Sequence, residues 1–300
     1  IELWRFLACI SIAIYHFELI YLGESIYFSH FYIWVEFYFI LSGFFLALNA
    51  DRNRDNISPM GYMLNEAKKL YPIYFIAFIF CFLATNICAQ ETIKRILYNL
   101  WNAKWEFLLL QMLGIDNKQI VYNAGGPSAY ISVLLIISIL LYYLVANHKT
   151  VFINIIVPVS VFSGFGYIIN TYGNLSQWME FNGIVNIGLV RGWVEMSIGA
   201  WVALVIVPLM KKKYAILGEI IAIVAVLFLI LGRKYISYSD LVIYVFLFAQ
   251  LIAGLYILGN NINDKWNTFL IVLGRLSYPI FLFHYGVLII LKNMIPEMSY

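Results

Sequence analysis

The sequence predicts an all-α, polytopic transmembrane helix bundle with about nine spans, and three observations support this class. Of the 300 residues, 63% are hydrophobic and 12% are charged, which is about half the charge of a soluble domain. Long apolar runs recur along the whole length, as membrane-spanning helices require. The short alternating segments typical of a membrane β-barrel do not occur.

Each long apolar run is taken as one span, and together they form one domain over residues 1–300. The chain begins inside an apolar run with no basic segment or cleavage signature, so we expect a true first helix that lacks its extreme N-terminus. The predicted spans are 3–22, 31–50, 72–89, 129–146, 150–170, 188–210, 218–232, 241–259 and 269–294.

Residues 90–128 differ from the rest of the chain. A polar amphipathic stretch is followed by an apolar patch, 105–114, which is too short to cross a bilayer. A polar, Gly-rich run then leads to Pro127 and the next span. We expect the apolar patch to be interfacial or re-entrant.

The distribution of lysine and arginine predicts that the N-terminus is cytoplasmic, because short cytoplasmic loops carry the excess of positive charge. The opposite loops 23–30 and 171–187 have no basic residue, whereas 233–239 has two. The basic residues assigned to the inner side are Arg52, Arg54, Lys68, Lys69, Lys149, Lys211, Lys212, Lys213 and Lys265.

Composition and cysteine usage exclude several functions. The net charge of +3 comes with no basic stripe, so we expect no nucleic-acid partner. Three cysteines without a paired spacing argue against a disulfide framework, and the absence of clustered His and Cys predicts no metal site.

The most informative residues are Arg5 and His16 in the first span. Eleven residues at about 100° each come to three turns plus about 20°, so both side chains lie on one helix face about 16 Å apart. Ionisable residues within a span are costly and are functional candidates by default. The pair predicts a polar track that runs from the cytoplasmic edge into the bilayer.

Other polar residues within or beside the spans have a structural interpretation beside the functional one. Glu36 needs a partner or a function, whereas Ser42 and Gly43 are explained by close helix packing. Lys68 and Lys69 set topology or hold phosphates as point charges.

The later spans contain three further candidates. Arg191 and Glu195 are four residues apart and can form an ion pair on one helix face, either as a structural pair or as part of a site. His284 follows Pro279 in the last span and is a second proton-handling group or a hydrogen-bonded structural histidine.

The pattern Arg5-x10-His16 resembles the signature of the acyltransferase-3 family, integral-membrane O-acyltransferases of cell-surface glycans. Four more elements in family order strengthen the resemblance, which covers residues 1 to 290. They are Val35-Glu36-Phe-Tyr-Phe-Ile-Leu-Ser42-Gly43-Phe44, Lys69-Leu-Tyr71-Pro72-Ile-Tyr74, Gly126-Pro-Ser-Ala-Tyr-Ile-Ser-Val-Leu134, and Gly274-Arg-Leu-Ser-Tyr-Pro-Ile-Phe-Leu-Phe-His284.

The chain also departs from the family pattern. Lys69 and Glu66 stand where arginines are common, and lysine cannot bind phosphate as a bidentate fork. Ala129 replaces the usual Trp, and Leu134 stands where many members carry Glu, so an acid–base role for that Glu cannot be transferred. Members usually have one more helix after the His284 region, so we expect ten spans in the full protein, with this chain cut short at both ends.

The resemblance implies transfer of an acyl group, most commonly acetyl from cytoplasmic acetyl-CoA, to a hydroxyl of a cell-surface polysaccharide, peptidoglycan or glycolipid. His16 is then the general base, and Glu36 orients it or binds the acceptor. Arg5, Lys68 and Lys69 hold the anionic donor, while Arg191, Glu195 and His284 contact the acceptor. The expected partners are acyl-CoA, a glycan or lipid-linked sugar and the bilayer of a bacterial plasma membrane, with no metal.

Two other functions remain open at this stage. A transporter or flippase of polysaccharide or lipid would also place charges within spans, but it would ignore acyl-CoA. A sensor or scaffold in a wall-synthesis complex would tolerate replacement of His16. The sequence does not identify the acceptor.

Overall fold

The computed structural model describes residues 1–53, 55–115, 127–177, 180–182, 185–231, 236–237, 240–259 and 264–295. Gly126 of one family-like element, the predicted inner-side residue Arg54, and the loop residues Arg233 and Lys234 lie outside the described residues. The α-helices are α1 (Glu2–Leu22), α2 (Trp34–Asn53), α3 (Pro59–Cys88), α4 (Ile93–Asn102), α5 (Lys104–Phe107), α6 (Pro127–Val151), α7 (Val157–Tyr172), α8 (Ile187–Trp201), α9 (Val207–Leu209), α10 (Lys212–Leu231), α11 (Val242–Leu258) and α12 (Asp264–Met294).

Short elements connect these helices. Two 3₁₀-helices cover Phe31–Ile33 and Gln111–Leu113, and two π-helical segments cover Phe152–Ile156 and Val202–Ile206. Strands β1 (Phe181–Asn182) and β2 (Val185–Asn186) pair antiparallel, with Phe181 opposite Asn186.

The all-α polytopic bundle is confirmed. Within the described residues, seven helices are long and apolar enough to cross a membrane, and Val242–Leu258 is a shorter apolar helix. The predicted spans 129–146 and 150–170 lie in one 45-residue helical run, Ser128–Tyr172. Non-helical dihedrals at His148 (φ −133°, ψ 37°) divide that run where the sequence predicts a connection between spans.

The two π-helical segments share a local cause. Each ends two residues before a proline, Pro158 in α7 and Pro208 in α9. Proline has no N–H and clashes with the carbonyl four residues earlier, and a widened turn relieves that clash.

α1 and α12 pack side by side in parallel. The Cys9 thiol in the first half of α1 donates to the Ser277 carbonyl (3.2 Å) near the middle of α12. The Lys292 amino group donates to the Ile20 carbonyl near their ends. α3 lies against the other side of α12, where the Tyr278 hydroxyl donates to the Leu70 carbonyl (2.9 Å).

α2 and α8 pack closely through glycines on both helices. A Cβ at Gly43 would meet the Met196 carbonyl, and a Cβ at Gly199 would meet the Ile40 carbonyl. The small residues therefore allow backbone-to-backbone packing, as expected for Gly43.

The apolar patch after α4 folds back between α3 and α6. Its backbone carbonyls accept hydrogen bonds from side chains of those helices: Tyr74 to Glu106 (2.6 Å), Tyr71 to Phe107 (3.2 Å) and Ser132 to Leu109 (2.7 Å). Irregular backbone needs such partners at membrane depth. The patch therefore packs against α3 and α6 of the bundle.

α4 turns its apolar face outward and its polar face inward. Ile93, Leu97 and Trp101 are 77%, 61% and 69% exposed, whereas Asn99 is buried and donates to Asn86 (2.7 Å). An exposed apolar face of this kind suits the membrane interface rather than water.

We expect Gly199→Ala to lower stability and Gly166→Ala to leave it unchanged or improved. At Gly199 the added methyl forces α2 and α8 apart, at a cost of about 1–3 kcal/mol. At Gly166 nothing lies within 4 Å, and alanine is a better helix former by about 1 kcal/mol. Apparent melting temperatures in one detergent would test this. Equal values for the two variants would contradict the close α2–α8 packing.

Candidate active site

A cavity of about 380 Å³ lies inside the bundle, within the size range of small-molecule sites. Its lining on α3 comes from the first half of that helix, so it extends toward the end of the bundle where Asp51 pairs with Lys149 (2.7 Å). The charge distribution predicts that this end is cytoplasmic. The lining residues are Arg5, Tyr38, Leu41, Ser42, Phe45, Leu46, Tyr62, Glu66, Leu70, Tyr130, Ile131, Leu134, Ser138, Met196, Ser277, Tyr278 and Phe281.

Arg5 is the cation among these lining residues. Its guanidinium pairs with Glu2 (2.9 Å), and its backbone carbonyl accepts a hydrogen bond from Tyr38 (2.5 Å). Both partners leave the guanidinium on the cavity wall, where its remaining N–H groups can bind an anion.

Lys68 and Lys69 do not line the cavity. Both are exposed, and the Lys69 amino group pairs with Glu66 (2.6 Å), which itself lies at the cavity wall. On α3, the charged side chain at the cavity wall is therefore the carboxylate of Glu66 and not either lysine.

His16 lies beside His284, and their hydrogen bonds define the tautomers. His284 Nδ1 is 2.8 Å from the Phe281 carbonyl, and His16 Nδ1 is 3.0 Å from the Ile12 carbonyl. Since a carbonyl oxygen only accepts, both Nδ1 atoms carry the proton. His284 Nε2, 3.1 Å from His16 Nδ1, is then an acceptor, and the single Nδ1–H of His16 is shared between the Ile12 carbonyl and His284.

This chain of hydrogen bonds leaves the lone pair of His16 on Nε2. A neutral imidazole with Nδ1–H held by an acceptor is the form that a general base requires. The sequence proposes His284 as a second proton-handling group, but nothing in the sequence shows that it would contact His16.

Glu36, Arg191 and Glu195 form a buried cluster between α2 and α8. The Arg191 guanidinium donates through Nε to one Glu36 oxygen (2.9 Å) and through Nη2 to the other. A Glu195 carboxyl oxygen is 3.5 Å from the same Nε, so the predicted ion pair between Arg191 and Glu195, four residues apart, is also present. Their side chains are 4% or less exposed.

The cluster changes the expected role of Glu36. The sequence offers Glu36 as the group that orients His16, but in the structure its carboxylate binds Arg191, and His284 holds His16. Arg191 binds both carboxylate oxygens of Glu36, so Glu36 needs no hydrogen bond from His16.

Several functional candidates were missed at the sequence level. Tyr38 and Tyr130 line the cavity, and the Tyr130 hydroxyl bonds Ser42 (2.8 Å). Both tyrosines fall within family-like elements, which is the signal that could have found them. Leu134, where many family members carry Glu, also lines the cavity and makes this wall apolar.

Glu18 was also missed, and it holds the loop that follows α1. Its carboxylate accepts hydrogen bonds from the Ser25 hydroxyl (2.6 Å) and from the backbone N–H groups of Tyr27 and Phe28 (3.0 and 2.9 Å). The loop is therefore held to the helix two residues beyond His16.

No group of three His, Cys, Asp or Glu side chains that could hold an ion occurs in the described part of the chain. The arrangement that the structure does contain is an oriented histidine base near a cavity with one arginine. Such a site can deprotonate a hydroxyl or thiol.

A family model described as an acyltransferase domain matches residues 1–298 of the chain. No curated protein and no solved structure matches this chain.

We expect Arg191→Met to destabilise the protein far more than Glu195→Gln. Loss of the guanidinium leaves two buried carboxyl groups without their cation, at about 3–5 kcal/mol. Glu195→Gln removes one of the two carboxyl groups and keeps the bidentate Arg191–Glu36 pair. We expect its effect to stay within about 1 kcal/mol. Apparent melting temperatures of both variants would measure the difference, and equal losses would show that the charge balance of the cluster is unimportant.

Proposed function

This chain belongs to the acyltransferase-3 family, and from that membership and the site geometry we propose the reaction that this multi-pass membrane acyltransferase performs. It moves an acyl group, most simply acetyl, from cytoplasmic acyl-CoA to a hydroxyl of a cell-surface polysaccharide, peptidoglycan or glycolipid. The proposal depends above all on one observation, the hydrogen-bonded His16–His284 pair beside the cavity.

His16 acts as the general base in this proposal. Its Nε2 takes the proton of the acceptor hydroxyl while that oxygen attacks the thioester carbonyl carbon. The C–S bond then breaks, and the same proton passes to the departing thiolate, so acyl ester and free CoA leave with no net proton change. One base that accepts and returns the proton is sufficient.

His284 acts as a positioning residue. Its Nε2 accepts the Nδ1–H of His16, which holds the ring in the required tautomer and stabilises the imidazolium that forms during transfer. The Phe281 carbonyl in turn fixes the His284 tautomer.

The cavity is the proposed donor site. Arg5 supplies a positive charge on its wall, and Lys68 and Lys69, exposed outside it, can attract the CoA phosphates as point charges. Arg5 and His16 are about 16 Å apart along α1, a length that an extended pantetheine arm can cover.

Arg191 donates two hydrogen bonds to Glu36 and lies 3.5 Å from Glu195 within a buried cluster, so we propose that Arg191 and Glu195 support the site rather than contact the acceptor. We propose that the acceptor reaches His16 from the extracytoplasmic side, since the donor cavity extends toward the opposite end.

We expect His16→Ala to abolish acyl transfer while His148→Ala retains it. Loss of a positioned base costs about 10²–10⁴-fold in rate. His148 is an exposed histidine that bonds Tyr143 and lies at the far end of α6, so it controls for the loss of a histidine as such. Turnover of acetyl-CoA by purified protein in nanodiscs, with a binding measurement beside it, would provide the test.

The outcomes separate the proposal from its alternative. Thioester loss that requires His16, with CoA binding retained in His16→Ala, would support the acyltransferase mechanism. If neither wild-type protein nor variant binds or consumes acetyl-CoA, the proposal fails, and a transporter or flippase of polysaccharide or lipid becomes the function to assay.

We expect His284→Leu to lower kcat by about 10–100-fold and to leave KM for acyl-CoA unchanged. This is the range for the loss of a group that orients a functional histidine. His284→Gln should retain more activity, because its amide oxygen can still accept from His16 Nδ1–H. Steady-state kinetics of the two variants would measure this. A rise in KM alone, or equal loss in both variants, would contradict a positioning role.

A further inference from the structure

Three aromatic rings of the cavity wall lie against one another. The centroid of the Phe281 ring lies 5.7 Å from that of Tyr38 and 5.7 Å from that of Tyr130, and the two tyrosine rings are 6.1 Å apart. All three residues line the cavity, and Phe281 is only 6% exposed. We call these three residues the aromatic barrier.

The histidine pair lies beyond this barrier. Neither His16 nor His284 lines the cavity. His284 follows Phe281 by three residues, about 4.5 Å along α12, in the direction away from the cavity. The Phe281 and His284 rings are 6.2 Å apart, and His284 contacts His16 on its other side.

We propose that Phe281 controls access between the cavity and His16, and that an acyl thioester in the cavity meets the base only when this ring is displaced. The identity of the ligand rests on the proposed function, whereas the barrier itself rests on the position of the three rings. Phe281 is therefore an access-controlling residue rather than a catalytic one.

The polar contacts indicate which ring moves. The Tyr38 hydroxyl is tied to the Arg5 carbonyl (2.5 Å), and the Tyr130 hydroxyl is tied to Ser42 (2.8 Å) and to the Tyr38 carbonyl (3.2 Å). Phe281 has no polar group in its side chain and is held by packing alone. Rotation of its ring breaks no hydrogen bond, so it is the member of the barrier that opens at least cost.

A barrier at this point has a chemical purpose. A thioester next to an activating histidine is open to attack by water, and exclusion of water prevents that side reaction. Gating side chains or loops serve this purpose in many enzymes. In this proposal the closed ring also separates the donor in the cavity from the acceptor at His16.

Side-specific thiol labelling tests access without any requirement for catalysis. His16→Cys would be made in a chain in which Cys9 is replaced by Ser, which can still donate to the Ser277 carbonyl, and Cys81 and Cys88 are replaced by Ala. The protein would be reconstituted in vesicles of known orientation. A charged methanethiosulfonate reagent is then added to the side on which the cavity opens. Glu66→Cys, at the cavity wall, serves as the positive control for entry of the reagent.

We expect slow labelling of His16→Cys from the cavity side, at least tenfold faster labelling when Phe281→Ala is added, and no change with Phe283→Ala. Phe283 is the matched control, because it lies on the same helix but packs against Phe80 on α3, with ring centroids 5.3 Å apart. Equal labelling rates with and without Phe281, or an equal effect of Phe283→Ala, would overturn the proposal.

Acyl-CoA hydrolysis without acceptor gives a second measurement in the chain that retains His16. Phe281→Ala should raise this hydrolysis relative to transfer, and Phe281→Leu, a smaller change that preserves folding if Ala does not, should raise it less. Faster labelling in a protein that never consumes acyl-CoA would support the barrier and refute the proposed function. Normal turnover with labelling and hydrolysis insensitive to Phe281 would refute the barrier alone.

Discussion

The parallel register of α1 against α12 is the constraint on which the rest of the site depends. These helices lie 268 residues apart in the chain at the Cys9–Ser277 and His16–His284 contacts, so each contact sets the same alignment. A slip of one residue would rotate a helix face by about 100° and separate the two imidazoles. The Ile12 carbonyl within α1 fixes the tautomer of His16, and the alignment with α12 adds His284 Nε2 beside the same Nδ1–H.

The α2–α8 contact holds the opposite wall of the cavity. Gly43 and Gly199 bring the two backbones together, and the Arg191–Glu36 pair, which Glu195 joins, closes the same interface with almost no exposure. A buried charge is costly unless it is paired, so this interface is either fully assembled or strongly destabilised. Its position explains why Tyr38, Ser42 and Met196 can present ordered side chains to the cavity.

The irregular segments follow the same rule of backbone satisfaction. The patch after α4 enters the bundle because Tyr71, Tyr74 and Ser132 donate to its carbonyls, and the loop after α1 is held because Glu18 accepts from its N–H groups. In the sequence, Tyr71, Tyr74 and Ser132 stand within or beside apolar runs, and only the structure shows which carbonyls their hydroxyl groups bind. The site therefore combines a base held by hydrogen bonds, His16, with one ring, Phe281, whose movement breaks no hydrogen bond.

The sequence by itself determined the helical membrane class, the positions of the spans and the shared helix face of Arg5 and His16, because apolar run length and a period of 3.6 residues are local properties. The resemblance of five short elements to the acyltransferase-3 family is also visible in the chain alone, and the family is confirmed. Only the tertiary structure decided the partners: His284 rather than Glu36 beside His16, Glu36 on Arg191, and Lys68 and Lys69 outside the cavity. Those contacts join residues as many as 268 positions apart, and they depend on helix register and rotation, which the sequence pattern of a single span does not encode.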